Sequence, residues 1–249
     1  MKIIVYDRKK HYAAETFVKI GVILLVSLSI AFGAVVRGFG EDLYVETVEP
    51  DESRFIILDA GHGGEDCGAC GADGSLEKDV NLALALEIGR QLTESGYTVI
   101  YTRTEDKMLY SAEENVKGLR KISDLKNRVA VAKEHPQSTF ISIHTNSFGD
   151  SRYKGLQVYY STNSDSSRVL AERIQGSVRS GLQTDNERTV KRGDKLYLLK
   201  NIESPAVIIE CGFMSNEEEC KKLSEKEYQK QLSFSIVCGI IEYMKENSN

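Results

Sequence analysis

Positive charge, histidine and cysteine are all scarce in this 249-residue chain, and each scarcity narrows what it can be. With 32 Lys and Arg against 37 Asp and Glu the net charge is −5, so the chain lacks the cationic surplus that binding to a phosphate backbone requires. Five cysteines (Cys67, Cys70, Cys211, Cys220 and Cys238) are too few and too unevenly spaced for a disulfide framework, and their odd number leaves at least one thiol free. Cys67 and Cys70 form a C-x-x-C with no second copy elsewhere. The glycines around that pair suggest a loop that tolerates small side chains, with a surface disulfide as the alternative. There is no H-E-x-x-H, no internal repeat and no low-complexity tract.

What is present begins with a long apolar run. Residues 17–36, FVKIGVILLVSLSIAFGAVV, are apolar apart from Lys19, and twenty helical residues span roughly 30 Å, the thickness of a bilayer core. Lys2, Arg8, Lys9 and Lys10 precede this run and six acids between Glu41 and Glu52 follow it. That bias puts a tail of residues 1–16 in the cytoplasm and everything after Arg37 outside. A cleaved signal peptide is the alternative to a transmembrane anchor, and in either case the working domain is exported. Residues 37–53, acidic and containing Pro50, read as a linker to a domain over 54–249; 41% hydrophobic residues suffice for its core.

From residue 54 short β-rich runs alternate with long helical ones. Strands are expected at 55–59, 97–102, 139–144, 155–161 and 206–210, and helices at 76–94, 124–134, 165–182 and 224–245. The first helix places Val80, Leu84, Ile88 and Leu92 on one face, and the last opens on Ser224 with Glu227 three residues on, a capping-box signature. Ser215 with Glu218 marks a further short helix at 215–222. This alternation predicts a single three-layer α/β domain, a mostly parallel twisted sheet covered by helices on both faces.

In such sheets the ligand crevice lies beyond the carboxyl ends of the strands. Asp59 and His62 follow the first strand, His144 ends the third and Glu210 ends the last, so they should converge. Of the four histidines, His11 falls in the tail and His135 in a polar turn before Pro136, which leaves His62 and His144. Two imidazoles and a carboxylate would suit zinc, with a fourth position open for water. The alternative is a pair of imidazoles satisfied within the protein. Glu77, in the first helical turn beside the glycine-rich loop, is the best third ligand, although a glutamate there is also simply a favourable partner for the helix dipole.

The ordered set DAGHGGEDCGACG (59–71), LEKDVNL (76–82), TR (102–103), DLKNRV (124–129), SIHTNS (142–147) and IECGFMSN (209–216) resembles the zinc-dependent N-acetylmuramoyl-L-alanine amidases of the Amidase_3 family over residues 54–245. Within that family the sequence is most similar to the membrane-anchored, spore-cortex CwlD type. The resemblance implies one Zn2+ per chain held by His62, Glu77 and His144, with Glu210 as the catalytic carboxylate, and cleavage of the bond between N-acetylmuramic acid and L-alanine in peptidoglycan. It further implies cortex modification for muramic-δ-lactam formation and germination, a functional link to a peptidoglycan deacetylase, and a catalytic domain on the outer side of the membrane, in the forespore intermembrane space. Asp59 and Asn146 stand where partners that orient the histidines are expected, Asp59 being equally readable as a turn acid. Arg103 and Arg128 either pair with acids beneath the site or meet carboxylates of the substrate, surface or structural ion pairs being the commoner fate. The stretch 194–199 reads as one wall of the groove, with Tyr197 more at home in the core. Two rivals are a wall-directed zinc carboxypeptidase or deacetylase, against which the missing H-E-x-x-H counts, and a scaffold protein with a degenerate site, against which the intact quartet counts.

Overall fold

A computed structural model describes residues 55–247 apart from 112 and 114. The cytoplasmic tail, the apolar segment at 17–36 and the linker at 37–53 lie outside the described residues. Among the described residues no helix is long and apolar enough to cross a membrane.

Six strands form one sheet: β1 (Phe55–Ala60), β2 (Thr98–Tyr101), β3 (Thr139–Asn146), β4 (Gln157–Tyr160), β5 (Lys191–Arg192) and β6 (Ala206–Phe213), in spatial order β2-β1-β3-β6-β4-β5. β1 pairs in parallel with β2 and β3, β3 with β6 and β4 with β5, whereas β4 runs antiparallel to β6. The sheet is therefore mixed, which corrects the mostly parallel expectation: β4 and β5 run against the other four strands. A parallel crossover needs a dozen or more residues, usually a helix. Only residues 147–156 separate β3 from β4, and they hold no helix, so the chain turns back at the end it has just reached.

The helices are α1 (Glu77–Glu94), α2 (Arg120–Glu134), α3 (Ser166–Gly181), α4 (Tyr197–Asn201), α5 (Glu217–Ser224) and α6 (Lys226–Glu246). Strand residues alternate between faces, and the two faces meet different helices. Ile56, Leu58, Ile141, Ile143, Val207 and Ile209 pack with apolar residues of α1, α3 and α6 in the larger core. Ile57, Phe140 and Ile208 pack against Val129 and Ala132 of α2 and Leu198 and Leu199 of α4 in the smaller one. The stripe expected on α1 is the buried one: Leu84, Ile88 and Leu92 are fully buried and Val80 is 5% exposed.

Two helix starts differ from expectation. α5 is capped by Asn216, whose side chain accepts from the Glu219 amide, and α6 begins at Lys226 without a side-chain cap. Ser224 instead donates to the Cys220 carbonyl and to Asp73, because α5 already occupies the chain up to that residue.

Candidate metal centre

Parity along the strands decides where the polar residues go. Asp59 shares a face with Ile57, His144 with Phe140 and Ser142, and Glu210 with Ile208, so all three stand on the α2–α4 side of the sheet. His144 and Glu210 are direct partners in the β3–β6 ladder. Glu77 comes from the opposite layer: as the first residue of α1 it reaches around the carboxyl ends of β1 and β3.

His62 leaves β1 with φ of +61°, a left-handed conformation that costs a non-glycine residue free energy and marks a backbone held by its surroundings. Those surroundings are two buried arginines. Arg128 donates to the carbonyls of Ala60 and His62, each at 2.8 Å, while pairing with Asp59 and Asp124. Arg103 donates to the carbonyls of Ala60 (2.9 Å), Gly61 (3.0 Å) and Lys78 (2.8 Å), tying the loop to the start of α1. Both position the loop, but the expected ion pairing is made by Arg128, whereas Arg103 is held by main-chain carbonyls. Asp59 does not reach a histidine. Its carboxylate takes Thr102, Ser142 and Arg128, and although burial opposes its charge, that guanidinium and the two hydroxyls hold it below the usual carboxylate range. Asn146 sits at a register shift after His144, opposite Phe213, rather than behind a histidine ring.

The three remaining residues converge. Glu77 Oε1 lies 3.2 Å from His62 Nε2 and 3.0 Å from His144 Nδ1, and one donor atom from each residue falls within 4.8 Å of the others. Tetrahedral zinc with bonds near 2.0–2.1 Å sets its ligand atoms on the order of 3.3 Å apart, so the spacing and the N, N, O donor set fit that ion. Two glycines make the approach possible. A Cβ on Gly61 would stand 2.2 Å from His144 Nε2, and one on Gly68, itself at φ +67°, would stand 2.5 Å from Glu77 Oε2. Glu77 Oε2 is held by the Ala69 amide at 2.8 Å, and Asn81 donates toward Oε1 at 3.3 Å.

Sequence reasoning missed Asp66, whose Oδ2 is 2.9 Å from His62 Nδ1. The available signal was an acid four residues after the histidine within one glycine-rich loop. The contact is one of charge, since Nδ1 lacks hydrogen-bond geometry towards that carboxylate, and it leaves Nδ1 facing Asp66 and Nε2 facing Glu77. Burial disfavours charge on His62, but Asp66 and Glu77 outweigh it and push its pKa up to about 9. Beside this group Glu210 has its pKa raised, mainly by burial and further by the Glu77 charge, with the two imidazoles pulling the other way; its Oε2 is buried and without a partner among the described residues. Leu198 of α4 lines the small cavity that reaches both histidines, so the 194–199 stretch does form a wall, while Tyr197 is 39% exposed rather than core. All five cysteines are free, and none belongs to the cluster.

The family model Amidase_3, described as N-acetylmuramoyl-L-alanine amidase, matches residues 56–242. The germination-specific N-acetylmuramoyl-L-alanine amidase of Bacillus subtilis is 37% identical over 202 residues, covering 80% of this chain and 84% of that protein. Among solved structures, the CwlD amidase of Clostridioides difficile, determined in complex with the GerS lipoprotein, superposes with a TM-score of 0.74 at 40% identity, covering 78% of this chain and 99% of that one. The amidase AmiC2 of Nostoc punctiforme superposes with a TM-score of 0.67 at 30% identity, over 78% and 98% of the two chains.

Proposed function

The chain belongs to the Amidase_3 family of N-acetylmuramoyl-L-alanine amidases, and from that premise we propose that it cuts the lactyl–L-alanine amide of peptidoglycan with zinc held by His62, Glu77 and His144. The observation that carries this reading is the meeting of three donor atoms, from a loop, a helix start and a strand end, within 4.8 Å of one another. Zinc in such a cradle supplies a Lewis acid for the amide carbonyl and brings the acidity of water to a pKa of roughly 7.

The remaining chemistry belongs to side chains. The Asp66 carboxylate faces the His62 ring and orients it, and the Arg103 and Arg128 braces fix the backbone of its loop. Glu210 is the general base: its unpartnered, buried Oε2 takes a proton from the attacking water and hands it to the departing L-alanine amine. Burial suits it to that exchange, because a carboxyl with a raised pKa holds a proton more readily than a solvated one. The test is metal analysis of the full chain beside a Glu210→Gln variant, with new L-alanine amino termini counted on peptidoglycan. One zinc per chain is expected in both proteins, with turnover lost on chelation and lowered about 10²–10⁴-fold by the substitution. Full turnover after zinc removal would contradict the reading.

The physiological setting rests on likeness to the germination-specific amidase and on the sequence of residues 1–53. We place the catalytic domain outside the membrane behind its anchor, preparing spore cortex for muramic-δ-lactam formation in concert with a deacetylase. Spores lacking the protein but retaining normal lactam would remove that role. The lipoprotein bound to the similar Clostridioides difficile amidase supports a protein partner for this chain as well.

A further inference from the structure

A second cavity, of about 470 Å3, opens on the other side of β6, between the loop after β3, the loop after α3 and helix α5. Three cations line it. Lys154 is paired with Asp185 at 2.6 Å and Lys222 with Glu218 at 2.6 Å, so two of the three are neutralised within the wall itself. Arg188, half-buried, has no carboxylate partner among the described residues. Its Nε donates to the Lys154 carbonyl at 2.7 Å and its Nη1 to Gln157 Oε1 at 3.1 Å. Its guanidinium carbon rests 4.5 Å over the ring centre of Phe213 and 5.6 Å over that of Tyr153. Glu219, the acid whose charge reaches Arg188, has its two oxygens engaged by the amides of Gly155 and Phe213, each at 2.8 Å.

A guanidinium carries five N–H groups in one plane, and two of these are used. With its carbon over the aromatic rings and three N–H groups free of the bonds named, it can still meet a planar acceptor, and the acceptor that matches a guanidinium is a carboxylate. The position is informative too. Gln157, which Arg188 holds, is the ladder partner of Glu210, so Arg188 is tied to the strand next to the one that carries the proposed base.

We propose that Arg188 is a specificity residue that takes a free carboxylate of the stem peptide. The inference rests on the assignment of the cleavage centre to His62, Glu77, His144 and Glu210. Its test uses binding, so that it stands or falls separately. The zinc-loaded full chain carrying Glu210→Gln is titrated calorimetrically with two muramyl peptides, one with free carboxylates and one with the same carboxyls amidated. The acid form is expected to bind about tenfold more tightly. Adding Arg188→Gln should bring the ratio to near one by weakening the acid form alone, and Arg188→Lys should recover part of it. The proposal is overturned by an unchanged ratio, or by equal losses for both ligands together with a lowered melting temperature, which would make Arg188 only a brace for the 154–157 segment. Cleavage by the Glu210→Gln chain at the parent rate would instead count against the centre and leave the binding result standing.

Discussion

Asp66 is placed to tune the metal affinity proposed for the site without being a ligand. Its carboxylate faces His62 Nδ1, and losing a partner of that kind typically costs 10–100-fold in metal affinity. Asp66→Ala should therefore weaken zinc binding by about that factor in a chelator competition, with the fold intact; an affinity within twofold of the parent would mean that Asp66 does not orient the ring. Glu210 acts with the opposite sign on stability. A carboxyl whose folded pKa exceeds its unfolded value costs stability at neutral pH, so the metal-free Glu210→Gln chain should melt at or above the parent. His62, His144 and Glu210 were visible from sequence because strand-end positions in α/β sheets converge by topology. Glu77 was ambiguous, since a helix-start glutamate serves the dipole equally well and only family resemblance favoured a ligand. Asp66 was hidden because its role depends on a loop conformation, His62 at φ +61°, that residue spacing does not specify.

At the level of elements, the loop after β1 is an irregular segment held by buried guanidinium groups. Arg128 is 2% exposed against an Asp59 that is fully buried, and removing one partner of such a pair strands the other charge out of water. Arg128→Ala should lower unfolding free energy by about 3–5 kcal/mol in urea titration and reduce zinc affinity as the His62 backbone loosens. A loss under 1 kcal/mol would show the brace to be dispensable. The regular elements were legible where periodicity is long: α1 lies within one residue of its expected limits, and its apolar stripe is buried as expected. The two-residue β5 and the five-residue α4 carry too few positions for any period. The reversed direction of β4 follows from a helix-free connection rather than from any pattern within the strand, which is why alternation alone suggested a more uniformly parallel sheet.

For the whole molecule, the acid side of the stability curve has a definite sign. A carboxylate with a depressed folded pKa adds stability above its unfolded value, near 3.9 for aspartate, and forfeits it as pH falls through the folded value. Asp59 is depressed in this way, and so are Asp66 and Glu77, each against its own burial. The metal-free chain should thus be stable above about pH 4.5 and lose stability progressively below it, and Asp59→Asn should flatten that slope. An unaltered slope would assign the acid transition to other groups. The α/β class and its division into two helical layers were readable from the alternation of runs. The centre itself required strands, loop and helix to be assembled, because its donors are separated by 15 residues between His62 and Glu77 and by 67 between Glu77 and His144. The most direct test of that assembly is a zinc-edge X-ray absorption spectrum of the zinc-loaded full chain. A four-coordinate nitrogen and oxygen shell near 2.0–2.1 Å with two imidazole signatures is the predicted result. Sulfur scattering at about 2.3 Å, which would place Cys67 or Cys70 on the ion, would contradict it.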